Sequence, residues 1–335
     1  AIYQEHPEWV AAGRDGKPKM TSTAAGEEAV MCLASPYRDV AADRINDAIE
    51  RYHLAYVKLD LTTVFNAYGE SPGCWPTPQH RQSWAESLGR IYESIHYVTA
   101  KVYAKHPDVL IDLSFELWGE KHLIDAGLLT YGDLDWLSNV NDSQPDAAGL
   151  RQARTLLYQR AVSMPTDAML IGNVQADMPD PPEVFATEIA SAPLLLGDLR
   201  RLTPNQREWY RQHIAWFKHL RSEVDLRDSF FPLGNWQQPS PVAWDGYARL
   251  ARNGSGVVTV FRNESKLPSV KVRLPLVPQG RFQLRSAMTG RSLGIVTGAM
   301  WKTGVDVRFV GHQKVEMIEV RNLKATPISR ERAVP

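Results

Sequence analysis

The 335 residues, 44% of them hydrophobic, suffice for one large core and a smaller one. Lysine plus arginine balance aspartate plus glutamate at 38 each, so no net charge draws the chain to nucleic acid or to an anionic membrane. Two cysteines, Cys32 and Cys74, make neither a disulfide framework nor a structural zinc site and leave the redox compartment undecided. No apolar stretch approaches the roughly 20 residues of a membrane span, and no signal peptide opens the chain. The text starts mid-pattern at Ala1-Ile2-Tyr3. The expectation is a truncated or processed start, with any leader outside it and the compartment open.

Residues 28 to about 223 alternate short apolar runs with amphipathic stretches. Ala29 to Leu33 reads as a strand, with Ser35 as N-cap and Pro36 as first residue of a helix through Val40, Ile45 and Ile49. The next run, Leu54 to Asp60, has the length of a buried strand and ends on two charges. Side chains alternate along a strand, so Lys58 and Asp60 share a face. After the Gly- and Pro-rich stretch from Tyr68 to Pro78, a helix is expected over roughly 80–105. Val109 to Leu113 and Leu134 to Ser138 read as strands, 146–161 as a helix, and 168–172 as a strand. Pro181 to Ala190 is a helix, Pro193 to Gly197 a strand, and Thr203-Pro204 starts a last helix through Trp216 and Leu220.

Strand and helix in alternation predict a parallel sheet with crossover helices. No Gly-x-Gly-x-x-Gly turn follows any strand, which speaks against dinucleotide binding. The six strands fit an α/β fold of the (β/α)8 TIM-barrel type, its first two units lying upstream of Ala1. An open doubly wound sheet is the alternative. Past about residue 228 the texture changes to short alternating strands, at 257–261, 270–274, 282–284, 305–309 and 315–320. These predict a C-terminal antiparallel β-sandwich. The expected organisation is therefore a barrel domain over 1–227, a sandwich over 228–323 and a tail over 324–335.

In a barrel, chemistry is built at the C-terminal ends of the strands. The polar residues there are Lys58 and Asp60, Asp112 and Glu116, Asn139, Asn141 and Asp142, Asn173 and Asp177, then Asp198 and Arg200. Trp118 and Trp136 stand close by in the sequence, from a generous aromatic supply that stacks on sugars but fills cores more often. The histidines 80, 96, 106, 122 and 213 lack paired ligand spacing and read as surface or capping residues, so neither a metal nor a cofactor is expected. No nucleophile elbow or phosphate loop is present. Two carboxylates facing a polyhydroxyl substrate are the minimal kit for glycoside hydrolysis, one attacking the anomeric carbon or activating water and the other protonating the leaving oxygen. The bland reading of Lys58 and Asp60 is a structural ion pair.

The segment Tyr56-Val57-Lys58-Leu59-Asp60 resembles the nucleophile strand of clan D α-glycosidases, especially family-36 α-galactosidases, whose version reads Lys-Trp-Asp. His6-Pro7-Glu8-Trp9 is similar to a segment preceding the third or fourth barrel strand in that family. Leu196 to Thr203 is similar to its last strand and the start of its last helix, and Trp216-Phe217-Lys218 and the C-terminal sandwich also fit. The resemblance covers roughly residues 1–323. It implies that the family's N-terminal sandwich and first barrel strands, with an acidic pair that binds the sugar, lie outside this chain.

On that resemblance Asp60 is the nucleophile and Lys58 a sugar-binding lysine. The family's acid/base follows the sixth strand in a Trp-x-Ser-Asp-Asn-Thr-Asp pattern, which here reads Trp136 to Asp142 with Asn139 in the acid position. The later aspartate is present as Asp142. The family's Cys- and Gly-rich sugar-binding turn is replaced by Ser114-Phe115-Glu116-Leu117-Trp118-Gly119. Three readings stand: Asp142 is the acid/base, Glu116 has taken that role, or the fold only binds glycans. Lys58, Asn139, Trp118 and Asp112 are the expected substrate-binding residues. The implied partner is an α-linked oligosaccharide or glycoconjugate, with a homo-oligomer compatible and neither nucleic acid nor membrane expected. A barrel isomerase or aldolase is a weaker option, since it needs a metal or a Schiff-base lysine.

Overall fold

The helix that precedes the Lys58 strand ends where the sequence leaves helical geometry. Its C-cap His53 takes the left-handed conformation at φ 52°, and the chain straightens into the strand Tyr56–Leu59. This is seen in a computed structural model, which describes residues 2–23, 26–59, 73–78, 82–113, 130–136, 147–172, 174–227, 229–236 and 238–324. The chain divides into two compact units, Ala1–Ser138 and Asn139–Pro335.

The first unit runs α1 (Ile2–Glu5), a 3-10 turn (Pro7–Trp9), β1 (Met20–Thr23), β2 (Gly26–Ala29), α2 (Tyr37–Tyr52), β3 (Tyr56–Leu59), α3 (Trp84–Lys105), β4 (Leu110–Leu113) and β5 (Asp135–Trp136). The strand expected over 29–33 is corrected. The antiparallel pair β1–β2 ends at Ala29, and Met31 makes only an isolated antiparallel bridge with Val10. Backbone groups of 30–32 go instead to residues 9, 11 and 19, through Ala11 N–H to Val30, Val30 N–H to Lys19 and Cys32 N–H to Trp9. The apolar run serves a small cluster of Ala11, Ala12, Cys32 and Cys74 rather than a parallel sheet.

The strand–helix–strand reading of 54–113 holds. β3 and β4 pair in parallel, Tyr56 opposite Leu110 through Leu59 opposite Leu113, with α3 as the connection. α3 starts on a capping box in which the Ser83 hydroxyl accepts from Glu86 N–H and the Glu86 carboxylate accepts from Ser83 N–H. Ile95 and Val102 of this helix, with Ile49 of α2, pack against Ile111 and Leu113, and Val57 and Leu59 join them. Because the strand period is two, the residues left for the other face of the pair are Tyr56, Lys58, Leu110 and Asp112.

The second unit runs α4 (Ala147–Arg160), β6 (Met169–Leu170), α5 (Pro181–Glu188), α6 (Pro204–Glu223), β7 (Phe231–Pro232), α7 (Leu233–Trp236), β8 (Asp245–Leu250), β9 (Gly256–Phe261), β10 (Ser269–Val272), β11 (Arg281–Ser286), β12 (Ser292–Thr297), α8 (Gly298–Thr303), β13 (Val305–Arg308) and β14 (Val315–Asn322). The strand expected over 193–197 reduces to one parallel bridge, Gln175 to Leu196. Its backbone is diverted: Leu194 N–H donates to the Glu188 carboxylate at 3.0 Å, and Gly197 turns the chain at φ +97°. The run over 168–172 is likewise paired only at Met169–Leu170.

Glu188 is fully buried, and burial pushes its carboxyl well above the usual range. A carboxyl whose pKa is higher folded than unfolded stabilises most below the unfolded value and loses that contribution as pH rises. Glu188→Gln is therefore expected to flatten the decline in stability between about pH 4.5 and the folded pKa. Urea denaturation across that window checks it, and an unchanged slope would contradict it.

The C-terminal strands form a six-stranded antiparallel sheet, β12-β11-β14-β9-β8-β7, and a separate antiparallel ribbon, β10-β13. Val258, Phe282, Leu284, Ile318 and Val320 of the sheet share one core with Val270, Val272 and Val307 of the ribbon, closed by the buried Trp301 of α8. The opposite face of the sheet meets helices: Trp216 Nε1 donates to Glu319 at 2.8 Å, and Tyr247 donates to the Ala186 carbonyl at 2.5 Å. The sequence pattern missed β8 and β12. β8 is buried on both faces, yet it carries Asp245 and Arg249, which break any apolar alternation.

That strand carries part of a buried polar network. Arg154 of α4, fully buried, grips Asp245 through Nε at 3.1 Å and Nη2 at 3.2 Å. It also donates to Glu183, Thr187 and Asn263, while Tyr158 donates to the same Asp245 carboxylate at 2.8 Å. The guanidinium lies 3.8 Å from the Phe261 ring centroid. Arg249 pairs with the Asp167 carboxylate and also donates to the Ile189, Ser191 and Leu226 carbonyls.

Candidate active site

The polar face of β3–β4 is built by register. Lys58 stands opposite Asp112 in the parallel pair, and Asp112 also bridges Leu134 in parallel. Residues two apart project alike, so Leu134 brings Trp136 to the same face. The Lys58 ammonium lies 4.0 Å from the Trp136 ring centroid, a cation–π contact at the strand end.

Asp112 is wholly buried. Its Oδ2 accepts from the Tyr56 hydroxyl at 2.5 Å and its Oδ1 from the Trp136 backbone N–H at 3.1 Å. A buried carboxylate so bonded ties two adjacent strand ends together and holds the Trp136 backbone beneath the lysine. Tyr56→Phe removes one of these bonds from a fully buried carboxylate. The expected loss is about 1.5–3 kcal/mol of stability by urea denaturation. A change below about 0.5 kcal/mol would mark the contact as dispensable.

The structure thus brings Lys58 and Asp112 together and adds Tyr56 and Trp136 to them. Asp60, Glu116, Trp118, Asn139 and Asp142 lie outside the described residues, as does Asn173. Tyr56 went unassigned in the sequence, although its position two before Lys58 is the signal that places it on the same face.

In the second unit, the Arg201 guanidinium donates toward Asp177 Oδ2 at 3.0 Å. Asp198 caps the 3-10 turn Leu199–Arg201 through Arg200 N–H and pairs with the Arg200 side chain, which holds its carboxyl below the ordinary range. Of the described histidines, His96 stacks on Tyr131, His106 caps α3, and His213 is buried against Trp209 rather than at the surface. Burial lowers the His213 pKa, keeping the ring neutral. Among the described residues, no helix is long and apolar enough to cross a membrane.

No family model and no curated protein matches the sequence. Solved structures do match. The GH36 α-galactosidase AgaA from Geobacillus stearothermophilus superposes with a TM-score of 0.70 at 18% identity, covering 96% of this chain and 42% of that one. The galactosidase domain of the α-galactosidase–sucrose kinase AgaSK gives 0.69 at 16% identity, over 96% and 41%. The chain shares the fold of GH36 α-galactosidases. It spans about two fifths of the length of these enzymes. The GH36-like fold extends more distantly to an α-amylase from Lactobacillus plantarum, with a TM-score of 0.53 at 13% identity over 95% of this chain and 74% of that one. Variants of AgaA have been solved with raffinose and with stachyose. A glycoside hydrolase fold is thus the common denominator.

Proposed function

We propose that this chain carries the nucleophile strand of a retaining α-glycosidase of the α-galactosidase type, acting on terminal α-linked sugars. The observation that carries the reading is the polar face of β3–β4, which collects Lys58, Asp112 and Trp136 in a fold shared with GH36 enzymes. Residue 60 follows Lys58 by one strand period, so the sequence assigns its carboxylate to that face. On this reading residues 1–227 belong to the barrel and 228–323 to the sandwich, with α-linked oligosaccharides or glycoconjugates as partners.

Asp60 attacks the anomeric carbon and forms a covalent β-glycosyl ester. An acid, Asp142 or Glu116, protonates the departing oxygen and then activates water. Retention requires the two carboxyl groups about 5–5.5 Å apart, and a nearest carboxyl beyond about 9 Å would argue for another mechanism. Lys58 donates to sugar hydroxyls, and the Trp136 ring beside it shapes the floor. Asp112, without exposure, acts as a positioning residue through Tyr56 and the Trp136 backbone rather than by touching the sugar.

Trapping tests this directly. A fluorinated α-galactosyl substrate slows hydrolysis of the ester, and peptide mapping should find the sugar on Asp60. A label on any other side chain would overturn the assignment.

The amide at Asn139, where the family pattern has its acid, favours a second reading, a non-catalytic carbohydrate-binding protein. Activated aryl glycosides separate the two, because leaving-group protonation matters least for them. Turnover supports the enzyme; glycan binding with no turnover supports the binder.

A further inference from the structure

The two cysteines of the sequence, Cys32 and Cys74, are separated by α2, β3 and the residues after it, yet both belong to one apolar cluster with Ala11 and Ala12. Both are buried and neither is in a disulfide. A single extended segment holds their backbones. The Trp9 carbonyl accepts from Cys32 N–H at 2.8 Å, and Val10 bridges Met31. A few residues on, Ala12 N–H donates to Cys74 Sγ at 3.3 Å, and Trp75 N–H donates to the Ala12 carbonyl at 3.0 Å. Cys74 N–H is itself fixed on the Ser87 hydroxyl at 2.8 Å, at the start of α3. Across this arrangement the Cys32 and Cys74 side chains are buried together in that one cluster.

Thiols buried in one cluster, on backbones tied to a common segment, need only a local approach to bond. We propose that Cys32 and Cys74 form an intrachain disulfide when the chain folds under oxidising conditions, closing a covalent loop around α2, β3 and the Lys58–Asp60 stretch.

The oxidant is a low-molecular-weight disulfide such as oxidised glutathione. One cysteine thiolate attacks a sulfur of that disulfide and expels a first glutathione thiolate. The second cysteine thiolate then attacks the protein sulfur of the mixed disulfide and expels the other. Two electrons pass to the oxidant, and the two protons lost by the cysteines go to the released thiolates. In the folded, reduced chain the neighbouring thiol and burial push the Cys32 thiol up, so the attacking thiolate is scarce there. The bond therefore forms before the cluster closes, and afterwards the same burial shields it from reductant.

Refolding the reduced, denatured chain in a glutathione redox buffer tests this, with alkylation and non-reducing peptide mapping as the readout. The expected product is a monomer with no alkylated cysteine and one peptide joining Cys32 to Cys74, lighter by two hydrogens than its parts. Its melting temperature should exceed that of the reduced chain by about 5 °C. Dithiothreitol should open the bond only in the presence of denaturant. Cys32→Ser and Cys74→Ser should each leave one thiol that captures glutathione or alkylating agent. A native monomer with two alkylated cysteines, bonds to glutathione or other chains alone, or a chain that refolds only when kept reduced would each overturn the proposal.

Discussion

Asp60→Ala is expected to lower kcat/KM on an activated aryl α-galactoside by at least about 10³-fold, because it removes the group that forms the covalent intermediate. Added azide should restore turnover by entering the space left by the carboxylate. The product should then be a β-galactosyl azide, since azide attacks from the face that the nucleophile occupied and no second displacement follows. Steady-state kinetics with product analysis by NMR makes the measurement. Full activity in the variant would remove Asp60 from the mechanism. Loss without azide rescue, in a folded variant, would leave Asp60 a structural partner of Lys58.

The second large effect concerns stability. Arg154→Leu should cost about 3–5 kcal/mol, because Asp245 then keeps a buried charge without its bidentate partner. Arg154→Lys should recover little, since an ammonium can neither grip both carboxylate oxygens nor lie flat on Phe261. Pairing Arg154→Leu with Asp245→Leu should cost less than the sum of the single changes, as the unpaired charge is gone. Urea midpoints at constant slope give the numbers. A loss under about 1 kcal/mol for Arg154→Leu would show that water or a neighbour replaces the guanidinium.

The two effects sit on residues of very different legibility. Asp60 stands out in a short string because the strand period alone puts it with Lys58. Arg154 carries no such local sign, since its partners Asp245 and Asn263 lie far along the chain. The same contrast runs through the fold. α3 and α6 announce themselves by Ser83 with Glu86 and by Thr203 with Gln206, capping boxes written within four residues. β8 is silent in the sequence because its buried charges are answered by Arg154 of α4, by Asp167 and by backbone carbonyls far from it in the chain.

Within the candidate site, the shared face of Lys58 and Asp112 needed only two alternating strands and a parallel register. The bond from Tyr56 to Asp112 needed the register itself, which no single segment encodes. The strand expected over 29–33 failed for a related reason. Of its residues only Cys32 is buried, and backbone partners at residues 9, 11 and 19 decided the direction of pairing.

The sequence by itself determined the local features: helix starts, the alternation that sends Val57 and Leu59 one way and Lys58 the other, and the change of texture near residue 228. Tertiary structure decided which buried charges are paired, how far each strand is hydrogen-bonded, and that two distant cysteines meet. The physical reason is range. Capping and side-chain alternation act over a few residues, whereas desolvated ion pairs, strand register and thiol contact depend on groups that only the folded chain brings within reach.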